Sequence, residues 1–158
     1  MKIFIVALLT FLGAYGYASA QLTTEEIAVV QNLFGMDKRA VIVGMIKMSP
    51  SDSVGFWPLY EKYEDARKSI GKERITLLQS FVAKYPAISN EELNNMMEKA
   101  IDLEEDQHDL LESYYSKIRK ATSPLVAAQW LQLESYITSA VRLAIQENIP
   151  FVGGIKKK

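Results

Sequence analysis

Apolar residues recur along this chain at intervals of three, four and seven, and no window alternates with a period of two for long enough to argue for a strand. The first helical signal is Thr23 with Glu26 three residues later, a capping box, followed by Ile27, Val30, Leu33 and Phe34. Gly35 interrupts, and Asp37 can cap a second piece through Met45 that carries Ala40, Val41, Ile42, Val43 and Ile46. That piece is apolar on nearly every side, so it is either wrapped by other helices or partly exposed for a partner. A long helix is predicted from Pro50 to about Lys84, with Phe56, Leu59, Tyr60, Tyr63, Ala66, Ile70, Leu77 and Phe81 on its stripe. Pro58 predicts a kink or a later start near Trp57, and Gly71 a weak point midway. Tyr85-Pro86 ends this helix, because the residue before proline is pushed out of the helical region. Ser89 and Glu92 open the next helix as a second capping box, and Leu93, Met96, Ala100, Leu103, Leu110, Tyr114 and Ile118 carry its stripe to Lys120. The last helix is predicted from Pro124 to about Asn148, with Trp130, Leu133, Ile137 and Val141 on one side. The fold class is all-α: an antiparallel bundle of about four to five helices with long central ones.

Two of these helices open on the same phrase. Ser49-Pro50 precedes Phe56 and Trp57, and Ser123-Pro124 precedes Trp130. Serine accepts a hydrogen bond from the orphan amides of the first turn, and proline has no amide to leave unsatisfied. Arg67 and Arg74 lie one heptad apart on the long helix, where they either reach carboxylates on a neighbouring helix or face solvent.

The N-terminal 20 residues read differently. Lys2, the apolar run Ile3 to Leu12 and the small-x-small pattern of Ala18-Ser19-Ala20 resemble a secretory signal cleaved after Ala20. This predicts an exported, periplasmic protein whose residues 21–158 form one helical domain, with no membrane span once the signal is removed. The chain has no cysteine, so neither a disulfide nor a thiolate site can form. Its formal charge of −1 offers no electrostatic case for nucleic acid.

Candidate chemistry is sparse. The acidic run Asp102 to Asp109 contains the only histidine, His108. Glu105 and His108 have the Glu-x-x-His spacing of di-metal bundles, which require a second such pair. Glu104, His108 and Glu112, each four apart, could instead hold one divalent cation. The plainer reading is a solvated acidic face. No Gly-x-Ser-x-Gly phrase or glycine-rich phosphate loop occurs, and no cofactor is expected. Met36, Met45, Met48, Met96 and Met97 offer adaptable thioethers that suit either a core or a promiscuous binding surface. Met45, Met48, Phe56, Trp57 and Trp130 are the candidate partner-binding residues.

The signal-like start, the helical layout and the phrases Leu22-Thr23-Thr24-Glu25-Glu26, Met48-Ser49-Pro50 and Thr122-Ser123-Pro124 resemble the Spy/CpxP-like periplasmic stress proteins. That group carries repeated Leu-Thr-x-x-Gln phrases at helix starts; here serine replaces threonine, and the glutamine is displaced to Gln129 or absent. Phe56-Trp57-Pro58-Leu59-Tyr60 and Leu133-Glu134-x-Tyr136-Ile137 also resemble exported helical proteins of Bacteroidetes-type bacteria. The resemblance implies a non-enzymatic protein, possible as a homodimer, that binds unfolded or envelope proteins in a stress response. A metal-responsive protein and an accessory subunit of an envelope complex are the alternatives.

Overall fold

The computed structural model describes residues 38–147, 149, 151 and 152, and within them the fold is all-α. The predicted signal, the Thr23 capping box and Met36 lie outside the described residues. Helix α1 is described over 38–45, and is followed by α2 (Pro50–Lys84), α3 (Asn90–Ala121) and α4 (Pro124–Glu147).

Each long helix begins where its sequence supplies a cap. Ser49 Oγ accepts from the Asp52 amide at 3.1 Å, and Asp52 accepts from the Ser49 amide in return. Ser89 and Glu92 form the same reciprocal box at the start of α3, and Ser123 Oγ accepts from the Val126 amide at 3.2 Å. Lys84 also pairs with Glu92 at 2.6 Å across the connection, and these bonds hold the exposed Glu92 carboxyl down at about 2. The expectation of a late start near Trp57 fails, because α2 already begins at Pro50 and runs through Pro58. Proline at this position deprives the Val54 carbonyl of its donor, and both residues lie on the exposed side, where water can replace it. Gly71 likewise interrupts nothing.

Short connections make α2 and α3 antiparallel, and the contacts between them track in opposite directions along the two helices. Gly55 meets Ala121, Tyr63 meets Tyr114, Glu73 meets Lys99, and Lys84 meets Glu92. At Gly55 the two helices come so close that a Cβ would overlap the Ala121 carbonyl oxygen. α4 returns along α3, with Arg142 against Glu104 at 2.6 Å, and Tyr63 of α2 reaches Trp130 of α4 edge-on at 5.0 Å. α1 lies against α2 and α4 at the end where α2 begins. Its Ile42, with Ile46 just past its end, joins Phe56, Tyr60, Tyr63, Ile118, Val126, Ala127 and Trp130 in one buried cluster. The aromatics that stand seven residues after the serine of each Ser-Pro phrase therefore have the same task, and both Phe56 and Trp130 are 0 % exposed.

Candidate functional site

The position of α1 is fixed by charge as well as by apolar burial. Lys38 is 3 % exposed, and its ammonium donates to Glu64 Oε1 of α2 at 2.6 Å and to Glu134 Oε1 of α4 at 2.7 Å. The other Glu134 oxygen also lies 2.7 Å from the ammonium. Arg67 grips Glu64 with two hydrogen bonds at 3.0 and 2.9 Å, and its Nε approaches Glu134 to 4.0 Å. The Tyr63 hydroxyl donates to Glu134 at 2.8 Å, while the rings of Tyr63 and Tyr60 lie 5.7 and 6.0 Å from the Lys38 ammonium. Two cations and two carboxylates thus balance in a buried cluster joining three helices.

This balance sets the protonation of its members. Burial alone would raise the Glu64 carboxyl, but the hydrogen bonds from Arg67 and the attraction of Lys38 outweigh it and hold the group below its ordinary range. Burial would also lower Arg67, and its bonds to Glu64 outweigh that in turn. Tyr63 and Tyr60 are pushed far above the ordinary phenol range, first by burial and then by the neighbouring carboxylates. Each charge is engaged with another member of the cluster, an arrangement suited to clamping α1 in place. Breaking a buried pair from one side typically costs about 3–5 kcal/mol.

The clamp leaves the opposite side of α1 facing outward. Val43 and Met45 are 62 % and 63 % exposed, and Val41 is at the margin of exposure. Next to them, Arg39 stacks over the Trp57 ring at 3.9 Å and pairs with Glu61 at 3.3 Å.

Of the residues singled out from sequence, Met45 is the one on this outward face. Met48 and Trp57 are half-buried and pack against the core cluster. Phe56 and Trp130 lie instead fully buried in the core cluster, packed among residues of all four helices. Met97 is exposed on α3 and Met96 is half-buried. In the acidic run, Glu104 is shared between Arg74 of α2 and Arg142 of α4, at 2.5 and 2.6 Å. Glu105, His108 and Glu112 face outward from α3. Among the described residues no group of three or more histidines and acids stands close enough to hold a metal ion. Arg74 reaches a carboxylate on a neighbouring helix, whereas Arg67 bonds first to its own helix.

The cluster of Lys38, Glu64 and Glu134 is absent from the sequence reading, although a signal exists. Glu134 stands four residues after Trp130 on the buried side of α4, with no lysine or arginine within four residues of it in either direction. A carboxylate on an apolar stripe without a local cation has to find one on another helix. Compared with known protein families, curated proteins and solved structures, the chain matches none.

Proposed function

We propose that this is a non-enzymatic, exported helical protein that binds apolar segments of unfolded or envelope proteins through the outward face of α1. The observation that carries this reading is a helix apolar on two sides. Ile42 and Ile46 satisfy the core, while Val43 and Met45, more than half exposed, project away from it. A fold that required α1 only for its own stability would gain nothing from apolar residues on the outer side, where polar ones are the rule. The clamp at Lys38 supports the reading, since it holds the helix rigidly and lowers the ordering cost of an encounter. Methionine suits varied partners because its unbranched thioether adapts to irregular surfaces. The signal-like N-terminus and the resemblance to Spy/CpxP-like stress proteins point to the periplasm as the setting and to stress-exposed proteins as the clients.

The test is suppression of aggregation of a chemically unfolded model protein, without nucleotide, by the native protein and by a Val43→Ser, Met45→Ser variant. The expected result is protection by the first and its loss in the second, with the urea midpoint of the variant unchanged because neither side chain is buried. Equal protection by both would move the activity away from α1.

A further inference from the structure

Beyond the clamp, the side of the bundle that seats α1 continues as an open apolar groove. Its floor and walls come from the far half of α2, the near half of α3 and the end of α4: Leu77, Leu78, Met97, Ala100, Ile145 and Ile149. This cavity has a volume of about 360 Å³, and a second of about 260 Å³ follows it towards Phe81, Phe151 and Val152. Arg74 and Arg142, bridged by Glu104, line the larger cavity. We propose that this groove is the seat of the chain's own residues 27–34, through the face formed by Ile27, Val30 and Phe34.

Three observations support this occupant. The first is continuity: α1 already rests on α2 and α4, and its Lys38 lies level with Glu64 and Glu134. Arg142 and Ile145 stand eight and eleven residues beyond Glu134 on α4, about 12 and 16 Å along the helix axis. The second is direction. α1 leads into the start of α2 through the short connection 46–49, so its Lys38 end points towards the opposite end of the bundle, where the groove lies. The third is reach and chemistry. Phe34 is separated from Lys38 by residues 35–37, which span up to about 10 Å when extended, and Gly35 among them permits a change of direction. Ile27, Val30 and Phe34 follow one another at intervals of three and four, the spacing that gathers side chains on one side of a helix. The tether raises the local concentration of this segment at the groove to the millimolar range, which favours it over a free competitor.

The absence of native cysteine makes the test clean. Val30→Cys is combined in the full chain with Leu78→Cys or with Ile145→Cys, and Asn32→Cys, from the polar side of the same stretch, replaces Val30→Cys in matched controls. After mild oxidation, an intramolecular disulfide is expected in at least one Val30 pair and in neither Asn32 pair, seen as faster migration on a non-reducing gel and confirmed by mass. A second measurement, independent of cross-linking, is the urea midpoint of a Val30→Asp, Phe34→Asp variant, expected to fall together with increased binding of an apolar dye. Equal cross-linking by the Asn32 controls, a cross-link only between molecules, or an unchanged midpoint and dye signal would each overturn the proposal, an intermolecular link pointing to a second copy as the occupant. These readouts do not involve aggregation suppression, so their failure leaves the reading of α1 standing.

Discussion

Replacing Lys38 by methionine is the sharpest perturbation of the clamp, because it preserves the length of the side chain and removes one charge. In the native cluster Lys38 and Arg67 balance Glu64 and Glu134. Without Lys38, Glu64 keeps its two hydrogen bonds from Arg67, but Glu134 keeps only the Tyr63 hydroxyl and a guanidinium at 4.0 Å. A carboxylate 1 % exposed is then left without an adequate counter-charge. The expected cost is about 3–5 kcal/mol, a large part of the total stability of a small domain. Arg39 next to it is the contrast: its ion pair with Glu61 is exposed on both sides, and with its stacking on Trp57 the loss on Arg39→Ala should be no more than about 1 kcal/mol.

Urea unfolding followed through Trp57 and Trp130 measures both variants. Two further outcomes separate a charge effect from simple loss of packing. First, Lys38→Met combined with Glu134→Met removes both members of the broken pair and leaves Glu64 with Arg67, so the double variant should be more stable than Lys38→Met alone. Second, the deficit of Lys38→Met should narrow as the pH falls. The native cluster loses stability as Glu64 is protonated below its depressed range, whereas the variant regains neutrality when a carboxyl takes up a proton. A Lys38→Met deficit under about 1 kcal/mol, or strictly additive effects in the double variant, would refute the clamp.

Other expectations follow from the same packing. Gly55→Ala should destabilise despite its better helix propensity, since the new methyl group would overlap the Ala121 carbonyl, while Gly71→Ala, with nothing within 4 Å, should stabilise by about 0.5–1 kcal/mol; thermal unfolding of the two variants gives the opposite signs directly. Trp130→Ala should cost about 3–5 kcal/mol as a fully buried aromatic, against less than about 0.5 kcal/mol for Met45→Ser on the outward side of α1, again read from urea midpoints. Glu64 has its folded carboxyl below the unfolded value, so its contribution is present at neutral pH and is lost on acidification through the folded value. Glu64→Gln should therefore be the less stable form at pH ~7 and flatten the acid side of the stability profile measured by urea titration at successive pH values.

What the sequence disclosed and what it withheld divide along the range of the interactions. Ser49, Ser89 and Ser123 could be assigned as caps because a cap is completed within three residues of its own position, and the structure closes each of those bonds. The end of α2 before Pro86 follows from equally local sterics, with Tyr85 as the C-cap. Pro58 misled as to where α2 starts, because proline acts on a carbonyl one turn back, and the damage depends on whether that carbonyl faces water or the core, which only the tertiary arrangement decides. Phe56, Trp57 and Trp130 look alike as large residues after a helix start, yet two are sealed and one is half-covered by Arg39. Position relative to the phrase, shared by Phe56 and Trp130, was the better guide to burial than size. Lys38 is the instructive case. Just before Ala40-Val41-Ile42-Val43, Lys38 beside Arg39 reads as the polar edge of an apolar helix, and Glu134 reads as one acid among many. Neither has an opposite charge three or four residues away on its own helix, so neither can be neutralised locally. Two unmatched and opposite charges, each on an apolar stripe, become costly on burial unless they meet, and this makes the pair as much a determinant of where α1 docks as the isoleucines that follow it.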